Sequence, residues 1–458
     1  MLYPVEAKLP LHTGFLIGLQ HVLAMFVGVI APPLILAGIV GFSKEESAYL
    51  LSMGLIGSAI GTLIQIKRRG PFGSGMLCVT GTSFAFIPIL AEAGKVGGIP
   101  LMIGMSIATA PIQMIFAPLL PKLRNFFPPL VTGTFLMLIG FSLVPAAFSY
   151  IIRGFGPDAP IWAPVIMAII TVALVVACNA VGKPILRLTS IIVSLGAGYM
   201  LCGIFGWVEA PPAASGWIVL PTPLNYGVDF QWIYVLPFAL MYLFSAVETV
   251  GDLSATSEFS GEPTRGNIFW KRIRGGILAD GFNSMVAGFL NSFPNTSFSQ
   301  NNGVIQLTGV AARRTGYFVA GFLLLLGLFP PVGGWIAVTP PPVLGGLTLV
   351  LFSFILVAGI RVTTSRTKID QRNALVLAIA LGTGIGLQLK PEVLDVFPDW
   401  VRLVFGTSFV TGGMVALLLN AILPNREKEA EDVLLPKRAS EAEEIETTEA
   451  ITETPAGT

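Results

Sequence analysis

The sequence predicts an all-α polytopic membrane protein with fourteen transmembrane segments, arranged as two inverted repeats of seven spans each. Three observations support this prediction: the composition, the distribution of positive charge and an internal similarity between the two halves. Of the 458 residues, 53% are hydrophobic and 12% are charged, with a mean hydropathy of +0.78. These values are far from those of soluble domains. The apolar segments are long enough to cross a hydrocarbon core of about 30 Å, which takes roughly 20 helical residues.

The apolar segments and the charges between them fit a count of fourteen. The segments centre near residues 26, 56, 83, 109, 138, 169, 196, 243, 284, 303, 325, 351, 379 and 411. Positively charged loops stay on the cytoplasmic side. With the N-terminus inside, five Lys and Arg fall on the outer side and seventeen on the inner side: Lys67, Arg68, Arg69, Lys122, Arg124, Lys183, Arg187, Arg265, Lys271, Arg272, Arg274, Arg313, Arg314, Arg361, Arg366, Lys368 and Arg372. The chain is therefore predicted to be a multi-pass protein of the plasma (inner) membrane. Both of its termini are predicted to be cytoplasmic.

The two halves of the chain are similar to each other. A shift of 213 residues aligns Pro128 with Pro341 and Gly133 with Gly346. With one further residue of offset, the run TSF at 82–84 matches the run TSF at 296–298. Seven spans is an odd number, so the halves enter the membrane from opposite sides, which is the inverted-repeat plan of secondary transporters.

Two segments do not have the composition of a membrane-spanning helix. Residues 294–309 read PNTSFSQNNGVIQLTG, and the corresponding residues 73–84 read GSGMLCVTGTSF. Non-helical backbone at membrane depth is tolerated where it is buried in protein or lines a cavity. We expect short extended pieces in spans 3 and 10 to meet near the midplane, where two helix N-termini and the aligned Phe84 and Phe298 frame a site for a flat polar solute. The alternative is a re-entrant loop that only packs.

Four ionisable residues lie within the predicted spans, where such residues mark function by default: His21, Glu248, Asp252 and Asp280. Glu248 and Asp252 are four apart and share a helical face. Burial and their mutual repulsion disfavour the ionised forms, so at least one is a candidate to carry a proton. Asp252 has a second interpretation as a helix-end residue, His21 as a satisfied core histidine, and Asp280 as an interfacial partner of the basic loop before it.

Catalytic and metal-binding patterns are not found in the sequence. Cys78, Cys178 and Cys202 have no metal-ligand spacing, and His12 and His21 are the two histidines of the chain. We therefore predict no enzyme activity, no metal site and no cofactor, and the composition indicates no nucleic-acid partner. Residues 424–458 hold ten acidic and four basic residues without apolar periodicity, so they are predicted to form a disordered cytoplasmic tail.

The segment QNNGVIQLTG at 300–309 fits the signature Q/E/P-N-x-G-x-x-x-x-T-R/K/G of the nucleobase-ascorbate transporter family, also called nucleobase cation symporter family 2. QHVLAMF, GTSF, ETVGDLSATS and LADG also resemble that family, so the resemblance extends from about residue 12 to 423. It implies a transporter body at 1–423 with a core domain of spans 1–4 and 8–11 (about 12–122 and 231–336) and a gate domain of spans 5–7 and 12–14 (about 123–230 and 337–423). Members are elevator-type proton or sodium symporters and typically homodimers.

The resemblance also implies roles for individual residues. Glu248 matches the glutamate that binds the purine and Gln300 the amide that grips it, as in members that carry xanthine and uric acid, whereas uracil-type members have Glu at the first signature position. A glutamine offers both a donor and an acceptor to a lactam edge. Bacterial xanthine-selective members often carry Asn where this chain has Ser83, which makes uric acid a candidate substrate. Phe84 and Phe298 match the aromatic residues that flank the base, and Ser299 matches a backbone contact. Three further residues match positions tied to affinity or coupling: His21, Asp280 and Asn301.

The sequence leaves three alternatives open. The chain is expected to take up uric acid, xanthine or both by proton symport, but a uracil or broader nucleobase symporter and sodium coupling are compatible with the same motifs. A channel shares inverted repeats and broken helices. A sulfate or bicarbonate carrier shares the general architecture by analogy, although it does not need the pair formed by Glu248 and Gln300.

Overall fold

The computed structural model describes residues 1–119, 128–155, 159–212, 216–366, 368–398, 401–402 and 405–423. The helices of the first half are α1 (Leu11–Val40), α2 (Lys44–Lys67), α3 (Ile87–Phe116), α4 (Pro129–Arg153), α5 (Ala163–Ala180) and α6 (Pro184–Ile204). Those of the second half are α7 (Val235–Phe259), α8 (Gly266–Phe289), α9 (Gln300–Thr308), α10 (Thr315–Leu328), α11 (Pro330–Ala337), α12 (Pro341–Arg366), α13 (Gln371–Leu389) and α14 (Ser408–Ile422). Two strands, β1 (Thr80–Thr82) and β2 (Asn295–Ser297), interrupt this order.

The helices identify a multi-pass membrane protein. Within the described residues, nine helices are long and apolar enough to cross a membrane. The pair α10 and α11, which bends by 75° where Pro330 and Pro331 follow each other, raises this number to as many as ten. A proline removes a backbone donor and ends the preceding helix, so a bend at this dipeptide is expected. The helix α14 is also apolar but shorter.

The extended segments in spans 3 and 10 are present and pair with each other. β1 and β2 run antiparallel with Thr80 opposite Ser297, Gly81 opposite Thr296 and Thr82 opposite Asn295. Beyond the strands, the Phe298 amide donates to Val79 O and the Ser83 amide donates to Pro294 O, both at 2.9 Å. The interpretation of this region as extended backbone is confirmed.

Each extended segment continues into a helix that points away from the strands. A 3-10 turn at Phe84–Phe86 leads from β1 into α3, and α9 begins three residues after β2 ends. The α3 range is interrupted at Gly98, whose backbone is non-helical with a left-handed φ of 61°, so it comprises two helices joined by a kink. Glycine adopts this conformation without the steric cost that other residues incur. This break falls between the predicted spans 3 and 4, which centre near residues 83 and 109.

Side chains from two neighbouring helices hold the strands in place. The Thr80 amide donates to the Thr62 hydroxyl of α2 at 3.2 Å, and the Asn295 amide donates to the Ser284 hydroxyl of α8 at 3.1 Å. The strands approach α2 closely at Gly61, where a Cβ atom would collide with Thr80 and Asn283. A small residue is therefore needed at this position of α2.

Helix packing falls into two groups. The helices α1, α2, α3, α7, α8, α10 and α11 contact one another extensively, and so do α4, α5, α6, α12, α13 and α14. The short helix α9 touches α1, α7 and α6, so it lies where the groups meet. Side chains of α4 also reach α1, since the Tyr150 hydroxyl donates to Leu34 O and Arg153 donates to Gly38 O.

Other parts of the sequence-based picture stay predictions. These are the full count of fourteen spans, the inverted repeat, the core and gate boundaries and the orientation of the termini. The acidic tail at 424–458 and the inner-loop residues Lys122 and Arg124 lie outside the described residues.

Candidate functional site

The carboxylate of Asp280 on α8 is the centre of a buried hydrogen-bond network. Its Oδ1 accepts from Gln65 Nε2 at 2.8 Å, and its Oδ2 accepts from the Thr249 hydroxyl at 2.8 Å. Oδ2 also accepts from Ser297, through the amide at 3.1 Å and the hydroxyl at 2.9 Å. Asp280 is fully buried. One side chain thus joins α2, α7 and β2, and it does not serve as an interfacial partner of the basic loop.

The helix α9 presents one open face and one packed face. Ser299 and Gln300 are exposed, whereas Asn301, Asn302 and Val304 are buried. Within the described residues the Gln300 amide makes no hydrogen bond. The free N–H groups of a helix N-terminus point at whatever lies there. The first turn of α9 therefore offers a side-chain amide and backbone donors to a solute.

Glu248 lies on a helix that touches three other elements of this region. The helix α7 packs against the 3-10 turn at Phe84–Phe86, against β2 and against α9. The Glu248 side chain is half-buried, and within the described residues its carboxylate makes no hydrogen bond. Since burying a carboxylate without partners is costly, this group is open to a ligand or a proton.

The packed face of α9 is fixed by two asparagines. Asn301 Nδ2 lies 2.9 Å from His21 Nδ1 and donates to His21 O at 3.2 Å. An amide nitrogen is a donor, so His21 Nδ1 acts as acceptor and its ring proton is on Nε2. Asn302 Oδ1 lies 2.8 Å from the Thr256 hydroxyl, and Asn302 Nδ2 donates to Asp252 O at 3.3 Å. Asp252 therefore joins the network through its backbone.

The residues that directly follow the two strands lie in different environments. Phe84 is half-buried and meets Phe352 of α12 edge to face, with ring centroids 6.1 Å apart. Phe298 is buried, and its ring lies where side chains at Gly28 and Gly81 would be. Ser83 is buried with no hydrogen-bond partner for its hydroxyl in the described residues.

The far end of α9 is anchored by the N-terminal segment. The amides of Leu2 and Tyr3 donate to Gly309 O at 2.9 and 3.2 Å, and the Ala311 amide donates to Tyr3 O at 2.8 Å. Arg313 extends this contact, because its Nε and Nη2 donate to Glu6 Oε2 at 3.0 and 2.6 Å. The short helix is thus held at both ends.

Most of the residues that the sequence singled out lie on helices and strands that contact one another in the structure. It adds Gln65, Thr249 and Thr256, which sequence reasoning did not identify. An amide within an apolar span, such as Gln65, is a signal that polar residues in membranes are functional. Threonines carry no comparable signal, since their hydroxyls are satisfied by the helix backbone four residues earlier.

Comparison with known proteins decides the family. A family model described as "Permease family" (Xan_ur_permease) matches residues 12–393. The chain belongs to this family. It is the nucleobase-ascorbate transporter family that the motifs indicated, and a permease of this family is a transporter rather than an enzyme.

Curated members of the permease family are similar over nearly the full length. The xanthine permease XanP of Escherichia coli is 38% identical over 439 residues, covering 93% of this chain and 95% of that protein. The xanthine permease XanQ of Escherichia coli is 34% identical, with coverage of 95% and 96%. The uric acid-xanthine permease of Emericella nidulans is 32% identical, with coverage of 93% and 84%.

Solved structures show the same fold at much lower identity. The transmembrane domain of the cyanobacterial bicarbonate transporter BicA has a TM-score of 0.54 and 15% identity, covering 91% of this permease and 99% of that chain. The murine anion transporter Slc26a9 in its inward-facing state has a TM-score of 0.61 and 13% identity, with coverage of 91% and 69%.

The Asp280 network predicts the effect of an Asp280→Asn substitution on stability. The new amide nitrogen must face Gln65 Nε2 or the donors of Thr249 and Ser297, so one contact changes from acceptor to donor. We expect a loss of roughly 1 to 3 kcal/mol, the cost of one unsatisfied buried group. Thermal unfolding of the purified protein in detergent measures it.

The matched control is Asp252→Asn, because the half-buried Asp252 carboxylate makes no hydrogen bond in the described residues. This variant should unfold within a degree or two of the wild type. Equal destabilisation by both substitutions would contradict a central role for the Asp280 network.

Proposed function

We propose that this permease takes up oxopurines, uric acid or xanthine or both, by proton symport with elevator-type alternating access. The observation that supports this most is that, within the described residues, neither the Gln300 amide nor the Glu248 carboxylate makes a hydrogen bond, while the helices that carry them contact each other. Relatives named xanthine permease and uric acid-xanthine permease support the substrate class.

The chemistry of an oxopurine fits these two groups. Its edge alternates N–H and C=O, so Gln300 donates to one and accepts from the other. Donors at the N-terminus of α9 favour the partial negative charge of an oxo group. Glu248 completes a planar set of hydrogen bonds to another edge, and Phe84 and Phe298 flank the ring.

Proton coupling follows from the scarcity of titratable groups near the substrate. His21 Nδ1 is engaged by Asn301, and the Asp280 carboxylate accepts four hydrogen bonds. Within the described residues the carboxylates of Glu248 and Asp252 make none, and Glu248 is the one that matches the purine-binding glutamate. A protonated Glu248 donates one hydrogen bond and accepts another, so proton and purine favour each other's binding by reciprocal linkage. Asp280 holds the supporting network.

An elevator movement is compatible with where the site lies. The strands and α9 are held by α1, α2, α7 and α8, while Phe84 contacts α12 and α9 touches α6 of the other helix group. We propose that the first group, as the core domain, carries the substrate past the second, the gate domain. In this proposal the gate domain forms the homodimer, and both termini face the cytoplasm.

A second candidate, an anion carrier, is favoured by the fold it shares with the BicA transmembrane domain and Slc26a9. Competition separates the two, since an excess of sulfate or bicarbonate should leave labelled xanthine uptake unchanged. Uptake of a panel of radiolabelled purines and uracil, in cells without their own permeases, tests the uracil alternative. Replacing external sodium by choline tests sodium coupling.

Removing the Gln300 amide should weaken purine binding. Gln300→Ala leaves two polar groups of the bound base unpaired, which costs roughly 1 to 3 kcal/mol, or about a tenfold to hundredfold loss of affinity. Displacement of labelled xanthine from the purified protein measures it. Gln306→Ala, an equivalent change at an exposed position of the same helix, is the control and should bind normally. Normal affinity in a folded Gln300→Ala protein would refute this site.

Ser83 is expected to influence the choice between purines. Its hydroxyl is buried and makes no hydrogen bond in the part of the chain that the structure describes, so Ser83→Ala should change little, whereas Ser83→Asn fills space beside Phe84. We expect the asparagine to shift uptake toward xanthine and away from uric acid, by about tenfold in the ratio, as for a change of about 1.4 kcal/mol. An unchanged ratio of uric acid to xanthine uptake in Ser83→Asn would show that this residue does not set selectivity.

Glu248→Gln should separate binding from accumulation. Glutamine mimics the neutral acid permanently, so the variant should bind purine without concentrating it, while wild-type uptake falls as external pH rises because fewer protons are available. The exposed Glu258 on the same helix provides the control, Glu258→Gln, with normal accumulation. If Glu248→Gln still concentrates purine in a protonophore-sensitive manner, the proton travels through another group, and Asp280 and His21 are tested next.

A further inference from the structure

A cavity of about 360 Å³ lies where α2, α8 and the segment after α9 converge, on the side predicted to face the cytoplasm. It contains none of the residues assigned above to the purine site. Its polar lining consists of Glu6, Lys67, Arg68, Ser74, Arg272 and Arg313. Four cationic side chains and one carboxylate therefore surround a space that no protein side chain fills.

The carboxylate in the lining is already engaged, which leaves positive charge without a counter-ion. Glu6 Oε2 accepts two hydrogen bonds from Arg313, at 2.6 and 3.0 Å. Lys67 has its Nζ 5.6 Å from the centroid of the Tyr317 ring, and it makes no ion pair within the described residues. Arg68 is exposed and also has no ion-pair partner in that part of the chain.

Arg272 adds a guanidinium that is only partly satisfied. Its Nη2 donates to Glu262 Oε2 at 2.9 Å, but Nε and Nη1 are buried without a hydrogen-bond partner in the described residues. An incompletely paired buried charge is costly, so a further negative charge nearby is favoured. Ser74 supplies a hydroxyl that accepts from the Met76 amide at 3.3 Å and donates to no group in the described residues.

We propose that this cavity binds a phosphate group. A phosphate carries more negative charge than a carboxylate, and its oxygens match the forked donors of arginine. The volume falls at the lower end of the roughly 300 to 1,000 Å³ typical of small-ligand sites. Two sources have this chemistry, a free phosphoryl compound and the headgroup of an anionic lipid.

A bound phosphate also adjoins the network that holds the strands. The Ser74 amide donates to Gln65 Oε1 at 3.1 Å, and Gln65 Nε2 donates to Asp280. The wall of the cavity is thus one side chain away from the centre of the fold. Binding there should raise the stability of the whole protein, because a ligand of the native state opposes unfolding.

The experiment uses the full-length protein in phosphatidylcholine nanodiscs, with pyrophosphate as the probe of a free phosphoryl compound. Pyrophosphate should raise the unfolding temperature saturably at constant ionic strength. Arg68→Gln and Lys67→Gln should each weaken the apparent affinity about tenfold, the effect of losing one charge-assisted hydrogen bond. Arg69→Gln is the matched control, because Arg69 is the next exposed residue and does not line the cavity.

The second arm identifies a lipid source. Nanodiscs that contain phosphatidylglycerol should stabilise the wild type and the Arg69→Gln control without pyrophosphate, and should not stabilise Arg68→Gln. A response in either arm with this dependence on Arg68 supports the phosphate site.

Three results would overturn the proposal. The first is no stabilisation in either arm. The second is an equal loss of pyrophosphate affinity in Arg68→Gln and Arg69→Gln, which would show that the anion responds to the overall surface charge and not to this cavity. The third is a response that appears only after four acidic residues of the terminal segment, Glu441, Glu443, Glu444 and Glu446, are replaced by Gln, since the acidic tail would then be the occupant.

Discussion

The structure depends on satisfying six residues of extended backbone within a protein made of apolar helices. Two strands of three residues each cannot stand alone, because an isolated pair is marginal even in water and unpaired backbone groups are costly in lipid. The strands therefore pair with each other, and Thr62, Ser284 and Asp280 supply the remaining partners from two helices. Helix α2 can lie this close because Gly61 has no side chain. The helical structure that follows each strand, the 3-10 turn at Phe84–Phe86 and the helix α9, begins where this pairing ends.

Much of this arrangement could be predicted from the sequence. Amide and hydroxyl groups at 294–303 are incompatible with a lipid-facing helix, so extended backbone in a protein-lined site was the physical solution, and the repeat of TSF identified its partner. The partners of Asp280 could not be predicted in the same way. Gln65 is 215 positions away, and no local pattern shows which of many polar side chains will reach a given carboxylate. The position of the break between predicted spans 3 and 4 is given by the structure, where the left-handed backbone of Gly98 interrupts the helix and the chain resumes helical geometry directly afterwards.

The helix α9 buries polar side chains, unlike a helix that packs through apolar contacts alone. Its buried face carries Asn301, whose Nδ2 is bonded to α1, and Asn302, which is bonded to α7, and its first residue, Gln300, is exposed. Hydrogen bonds are directional, so two buried asparagines fix the rotation of a nine-residue helix more sharply than apolar packing does. That rotation determines where Gln300 points, and in the proposed purine site a preorganised Gln300 lowers the entropic cost of binding. The bonds between residues 2–5 and the segment after Gly309 hold the other end in register.

The two copies of the TSF sequence differ in the hydrogen bonds that their serine side chains make. Ser297 donates twice to Asp280, so a substitution there removes hydrogen bonds from the centre of the network. Ser83, its counterpart, has an amide bonded to Pro294 O but a hydroxyl without a partner in the described residues. Changing the Ser83 side chain alters the space beside Phe84 and leaves every strand hydrogen bond intact. In the proposed purine site, substrate choice can therefore vary at position 83 with little loss of stability, whereas position 297, whose side chain maintains the Asp280 network, lacks this freedom.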